Sequence, residues 1–303
     1  MLDAPYATLA PVNDNPVNDN SADLRWPANE RTLMDDVPTT LLAPDEPPPV
    51  TVINAGGGSP LLIVADHAGN RLPRRLQTLG LGPAELERHI AWDIGVGAVG
   101  SWMADALDAV FIRQDYSRLV IDCNRTPGSQ TSIVEVSERT TVPGNIGLGK
   151  TQVEARIREI FQPYHDRIAG ELDQRRRAGR PAALIAMHSF TPVFTGIARP
   201  WQVGVLYNRD PRFAHILMDL LGAEQGLMVG DNEPYSVTDA SDYTIPIHGE
   251  RRGLHHVAIE IRQDLIADQA GQRRWADLLV RLLPQAYRRL TAPQAETEIA
   301  SAD

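Results

Sequence analysis

The chain has a single cysteine, Cys123, and a single lysine, Lys150, among its 303 residues. One cysteine excludes an intrachain disulfide framework and any zinc site built from several thiolates. No run of about eighteen uninterrupted apolar residues is present, so no membrane span is expected. Positive charge is also scarce. The 29 basic side chains face 39 acidic ones, a formal net charge of −10. Nucleic acid and anionic membrane both require a surplus of Lys and Arg, so neither is the expected main partner. The opening residues MLDAPYATLAPV lack the basic segment of a secretory signal, which makes a reducing cytoplasm the expected setting.

Hydrophobic residues make up 43% and charged residues 22%, ordinary values for a soluble globular protein of this size. The first 50 residues are different. They hold nine of the 23 prolines, a literal repeat (PVNDN at 11–15 and 16–20), and nine acidic residues against two arginines. Such a segment buries too little apolar surface to offset its ordering entropy, so 1–50 is expected to be a flexible or loosely packed arm, with Leu24-Arg-Trp26 and Leu41-Leu42 able to dock on the body as a strap. A frayed tail is expected over 292–303. Residues 51–291 contain no linker and are read as one domain.

Strand and helix patterns alternate through that domain. LLIVAD (61–66) is a continuous apolar run, as in a strand covered on both faces. AVFIR (109–113), RLVID (118–122), AALIAM (182–187), VGVLY (203–207) and HVAIEI (256–261) are the other predicted strands. Helices are predicted from Pro83 through Asp108 with a break near Asp93, and over 150–177, 212–225 and 275–290. The alternation implies an α/β fold: a mostly parallel or mixed central sheet flanked by helices.

Polar residues sit where such a sheet binds ligands, beyond the carboxyl ends of its strands. Asp66-His67 follows LLIVA, His188-Ser189 follows AALIAM, and Glu260 ends HVAIE. The run RLVIDCNR places Arg118 at one end and Asp122, Asn124 and Arg125 at the other. Singly, each has a structural reading: a loop histidine bonded to backbone, a Glu260–Arg262 pair on one strand face, an Asn-Arg turn cap. Together they point to one shared site. Zinc accepts imidazole nitrogens and carboxylate oxygens and brings a bound water to a pKa of about 7. A further carboxylate can act as general base, and arginines can dock a substrate carboxylate and stabilise an oxyanion. These are the parts that cleavage of an N-acyl amino acid needs.

Three competing motifs are weaker. The segment NAGGGS (54–59) precedes a strand rather than a helix and lacks the Lys-Ser/Thr of a phosphate loop. Ser189 has no nucleophile elbow around it. Cys123 has no imidazole nearby in sequence and reads as structural.

At these residues the sequence resembles the N-formylglutamate amidohydrolase family. The matching stretches are ADHAGNRLP (65–73), YSRLVIDCNR (116–125), AMHSFTP (186–192), GVLYNRD (204–210) and YTIPIHGERRGLHHVAIEIRQDL (243–265). The resemblance implies a zinc-dependent hydrolase with a zinc carboxypeptidase-like or aspartoacylase-like α/β fold. Its substrate would be N-formyl-L-glutamate or a related acidic N-acyl amino acid. It further implies that His67 and His188 are metal ligands, Arg118 polarises the scissile carbonyl, Asn124 and Arg125 bind the substrate carboxylate, and Glu260 is the general base. The wider superfamily has a ligand glutamate three residues after its first histidine, where this chain has Asn70. Asp93 is then the nearest replacement, with Asp66 or a water as alternatives. His248 falls in the late block and is expected to contact the other end of the substrate, or else to be bonded to backbone. His89, His165 and His215 are expected to be surface or packing residues. Other readings of the same parts are a metallo-deacylase or peptidase for a different N-blocked substrate, and a non-catalytic binding protein.

Overall fold

The computed structural model describes residues 40–292. Seven strands form one sheet: β1 (Val50–Ile53), β2 (Leu61–Ala65), β3 (Val110–Gln114), β4 (Ala183–Phe190), β5 (Val203–Leu206), β6 (Val229–Asp231) and β7 (His255–Arg262). Their order across the sheet is β1-β3-β2-β4-β7-β5-β6. The pairs β3–β2, β2–β4, β4–β7 and β5–β6 are parallel, whereas β1–β3 and β7–β5 are antiparallel. The sheet is therefore mixed, with its parallel centre in the strands that carry the polar residues singled out above.

Side-chain alternation sorts the central strands onto two faces. Leu61, Ile63 and Ala65 of β2 join a core with Val96, Val99 and Met103 of α2 (Val96–Leu107). Residues of α5 (Arg212–Gly222) and α6 (Gln269–Thr291) complete that layer. Leu62 and Val64 face the other way, toward Ile160, Tyr164, Ile168 and Leu172. Both faces are covered, which is why β2 and β4 read as unbroken apolar runs.

The helix predicted over 150–177 runs as α3 (Lys150–Arg156), a π turn (Ile157–Phe161) and α4 (Gln162–Arg177). Pro163 lacks the N–H that an uninterrupted α ladder would use there, which fits a change of hydrogen-bonding pattern at that point. The helix predicted from Pro83 exists only as one turn, α1 (Pro83–Leu86), before α2; Asp93 lies in the irregular stretch between them.

One predicted strand needs correction. RLVID (118–122) is not a strand but a series of turns. Leu119, Val120 and Ile121 are buried all the same, because the turns press against the body, with Arg118 N donating to Ala91 O at 3.1 Å. At the end of the expected N-terminal arm, Leu41-Leu42 dock. Residues 40–50 pack on the body: Leu41 is buried, Glu159 Oε2 accepts from the backbone N–H groups of Leu41 and Leu42, each at 2.8 Å, and Tyr116 donates to Pro47 O at 2.9 Å. The rest of the expected arm, 1–39, and the tail from 293 lie outside the described residues. All described residues fall within one compact unit, and no helix among them is long and apolar enough to cross a membrane.

Candidate metal centre and active site

The loop after β2 delivers Asp66 and His67. Gly69 lets this loop close on the 115 segment, since a Cβ there would meet Asp115 O at 2.1 Å. The backbone then ties Asp93 to the same place, its N–H donating to His67 O at 2.9 Å. His188 arrives on β4 and Glu260 on the neighbouring β7, where the two pair directly in parallel register. Gly204 of β5 faces Glu260 from the other side. It must be glycine, because a Cβ would sit 1.9 Å from Glu233 O.

His67, Asp93 and His188 come together. One ligand atom from each lies within 4.8 Å of the others, and all three residues are buried. Asp93 Oδ2 is 3.3 Å from His67 Nδ1 and 3.0 Å from His188 Nδ1. Those separations are close to the edge of a tetrahedron with bonds of about 2.0–2.1 Å. The far nitrogen of each ring is faced by its own carboxylate. His67 Nε2 is 2.7 Å from Asp122 Oδ1, and His188 Nε2 is 3.2 Å from Asp66 Oδ2. A proton held at His67 Nε2 by Asp122 leaves its Nδ1 lone pair free to bind a cation, the arrangement that orients imidazole ligands in metal sites, and Asp66 stands in the same relation to His188 at ion-pair distance. Of the three alternatives for the third ligand, Asp93 has the converging geometry, while Asp66 stands behind His188.

Charges in this cluster shape one another. Burial alone would raise the Asp66 carboxyl, but His188 draws it down to about 2. Burial acts likewise on Asp93 and Asp122, and is outweighed by His67, His188 and Arg118 around the first and by Arg118 and His67 beside the second. Both stay ionised. Burial pushes His188 down, but Asp66 and Asp93 hold it well above its ordinary value. Three carboxylates thus face the Arg118 guanidinium and two imidazoles whose protonated forms they favour. Glu260 goes the other way: burial, only partly offset by His188, lifts it to about 7. Its Oε2 is buried without a hydrogen-bond partner.

His67, Asp93, His188 and Glu260 line a cavity of about 290 Å³ with Arg118, Asn124, Arg125 and Tyr235. Arg118 donates to Asp93 Oδ1 at 3.3 Å and to Asp122 Oδ2 at 2.7 Å, so its guanidinium is matched by two carboxylates. Arg125 donates to the carbonyls of Asn124 and Ser241 and has no ion-pair partner among the described residues. The Asn124 amide is largely committed: its Oδ1 accepts from Tyr243 N and Thr244 N at 2.9 and 3.0 Å, and its Nδ2 donates to Asp242 at 2.8 Å. It fixes the 242–244 loop at the cavity wall, with one N–H left over for a ligand.

His248 is not at the cavity. It lies in a π turn (Ile245–Glu250), buried, with its ring stacked on His165 at 5.2 Å between centroids and 12° between planes. The expected contact with the far end of a substrate is therefore corrected: packing of this turn against α4 turns His248 toward His165. His89, expected to be a packing residue, does line the cavity, paired with Glu138 at 3.0 Å. Sequence reasoning missed Tyr235 and the Ser241–Thr244 loop. Thr244 lies within the late motif block and donates to Asp66 Oδ1 at 2.6 Å, so the block itself was the available signal.

The N-formylglutamate amidohydrolase family model matches residues 59–267. Among solved structures, the gene product Atu2144 from Agrobacterium tumefaciens is 35% identical, over 82% of this chain and 99% of that one, with a TM-score of 0.80. The N-formylglutamate amidohydrolase from Ralstonia eutropha JMP134 is 18% identical, over 80% and 99% of the two chains, with a TM-score of 0.57. No curated protein matches. With the family model spanning six of the seven strands, all three converging residues and Glu260, the chain belongs to the N-formylglutamate amidohydrolase family, a family of amide-cleaving hydrolases.

Proposed function

We propose that the protein is a zinc-dependent amidohydrolase that cleaves N-formyl-L-glutamate or a related N-acyl amino acid to the free amino acid and a carboxylate. The observation that carries this reading is the meeting of His67 Nδ1, His188 Nδ1 and Asp93 Oδ2, with both far ring nitrogens backed by carboxylates. The donor set of two imidazoles and one carboxylate suits zinc and has the composition of a catalytic site that keeps a position open. A zinc ion bound there would supply a Lewis acid for the scissile carbonyl and bring water to near-neutral acidity.

The chain's own groups do the rest. Glu260 takes a proton from the attacking water onto its unpartnered Oε2 and passes it to the leaving nitrogen; an ordinary value raised to about 7 suits both halves of that transfer. Arg118, held by Asp93 and Asp122, presents its guanidinium to the developing oxyanion. Arg125, the cation in the cavity wall without a carboxylate partner among the described residues, docks the α-carboxylate of the substrate. Asn124 keeps the wall in place.

Metal analysis of protein purified without chelator, combined with formate release from N-formyl amino acids, tests the reading. About one zinc per chain is expected, with activity lost on chelation and restored by zinc. Failure to hold zinc after supplementation would favour the non-catalytic alternative. Cleavage of other N-blocked amino acids or short peptides alone would favour the deacylase or peptidase.

A further inference from the structure

Arg199 is 8% exposed and has no carboxylate partner among the described residues. Its guanidinium is stacked instead on aromatic rings, 4.6 Å from the Phe194 centroid, 4.8 Å from that of Tyr235 and 5.8 Å from that of Phe190. It donates to the Tyr235 hydroxyl at 2.9 Å and to Thr191 O at 3.5 Å. The backbone fixes it there: Arg199 N donates to Pro192 O at 2.8 Å, closing the hairpin of Val193–Phe194 and Ile197–Ala198. Aromatic faces offset part of the cost of burying a cation, but they supply no counter-charge.

Three of its contacts, Phe190, Thr191 and Tyr235, line the cavity that holds the ligand triad. Arg199 thus stands behind that wall, and the Tyr235 hydroxyl is the side-chain group on the wall that it bonds. The oxygen of that hydroxyl accepts from Arg199, and its own hydrogen has no acceptor among the described residues. Burial holds the hydroxyl above its ordinary value, so the hydrogen stays available for donation. Other charges of the wall are already engaged. Arg118 is matched by Asp93 and Asp122, His89 is faced by Glu138, and Asp242 accepts from Asn124 Nδ2 at 2.8 Å and from Ser241 Oγ at 2.7 Å.

Resting on the hydrolytic reading of this cavity, we propose that Tyr235 and Arg199 recognise a second carboxylate, carried by the side chain of the leaving amino acid, so that the enzyme selects dicarboxylic N-formyl amino acids. Tyr235 donates its hydrogen to that carboxylate. Arg199 acts through Tyr235 as a positioning residue: its N–H holds the hydroxyl oxygen, strengthens the hydroxyl as a donor and places a positive charge behind it. With Arg125 on the α-carboxylate and Arg118 at the developing oxyanion, each negative group of such a substrate has its own donor. A neutral side chain of equal length would leave the Arg199 guanidinium unmatched.

The test uses the zinc-loaded full chain with N-formyl-L-glutamate and N-formyl-L-glutamine, which differ at that end alone, and with N-formyl-L-alanine. The parent is expected to favour the glutamate derivative over the glutamine derivative by about tenfold or more in kcat/KM, as recognition by a polar pair allows. Tyr235→Phe keeps the ring and should cut this preference about tenfold, through KM for the glutamate derivative. Arg199→Gln should do the same, and Arg199→Lys, which keeps the charge, should restore part of the preference. Equal cleavage of the two derivatives by the parent, variants that lower both alike, a loss in kcat at unchanged KM, or Arg199→Lys no better than Arg199→Gln would overturn the inference and leave the hydrolytic reading standing. Cleavage of none of the three compounds would overturn both.

Discussion

Asp122 Oδ1 lies 2.7 Å from His67 Nε2, the ring nitrogen that Asp93 does not face. One carboxylate thereby fixes which nitrogen of His67 keeps its proton and which is offered to a cation. Its other oxygen holds Arg118 at 2.7 Å, so imidazole and guanidinium share a single support. Asp122→Asn keeps the shape and removes the charge. Zinc affinity is expected to fall about 10–100-fold, as for other supports of metal-bound histidines. Competition with a chromophoric chelator measures this, and an affinity within about threefold of the parent would contradict the assignment.

Glu260→Gln removes the proton acceptor while keeping the side chain's size on β7. We expect kcat to fall by about 10²–10⁴ with zinc content unchanged, the usual cost of losing a general base. An unaltered rate would assign the proton transfer elsewhere.

Arg125→Ala should chiefly raise KM for N-formyl amino acids, about 10–100-fold, with kcat changed little, because docking a carboxylate stabilises ground and transition states alike. A lowered kcat at unchanged KM would show that Arg125 acts on the reacting bond instead.

Behind the site, His165 Nε2 donates to Cys123 O at 2.8 Å, so its Nδ1 accepts from His248 Nε2 at 2.9 Å and both rings are neutral. Burial holds His165 at about 4 and His248 at about 3. An unfolded histidine titrates near 6.5. Between about pH 6.5 and 4 the unfolded chain therefore binds the protons that the folded chain refuses, and stability declines as pH falls through that window. Each histidine should contribute up to about 1.4 kcal/mol per pH unit to this loss. Urea midpoints at pH 7, 5.5 and 4.5 for the parent and His248→Leu measure it: the variant should lose less on acidification, and parallel curves would refute the account.

Much of the frame was legible in the residues because both sheet faces are covered. LLIVA, AALIAM and HVAIE are apolar without alternation, and the polar residue that ends each run marks the carboxyl edge of the sheet. RLVID misled for the same reason: five residues, three of them apolar and buried, do not distinguish a strand from turns pressed on a core. Asp93 could be suggested only by resemblance, since it meets His188 across 95 residues through an irregular segment with no periodicity. The backing of His67 by Asp122 depends on the turns over 118–125 and carries no local signature. His248 lies in a π turn over Ile245–Glu250, where a ring's direction follows from tertiary packing rather than from sequence spacing.

Neighbouring strands lie about 4.8 Å apart, a spacing set by peptide geometry and not by any loop. Because His188 and Glu260 are opposite each other on adjacent central strands, the spacing between imidazole and acid is inherited from the backbone ladder. Shortening the acid by one methylene, as in Glu260→Asp, would open a gap that no flap or hinge could close. Changes in what the enzyme accepts must then arise at the rim, while the chemistry stays anchored to the pleat.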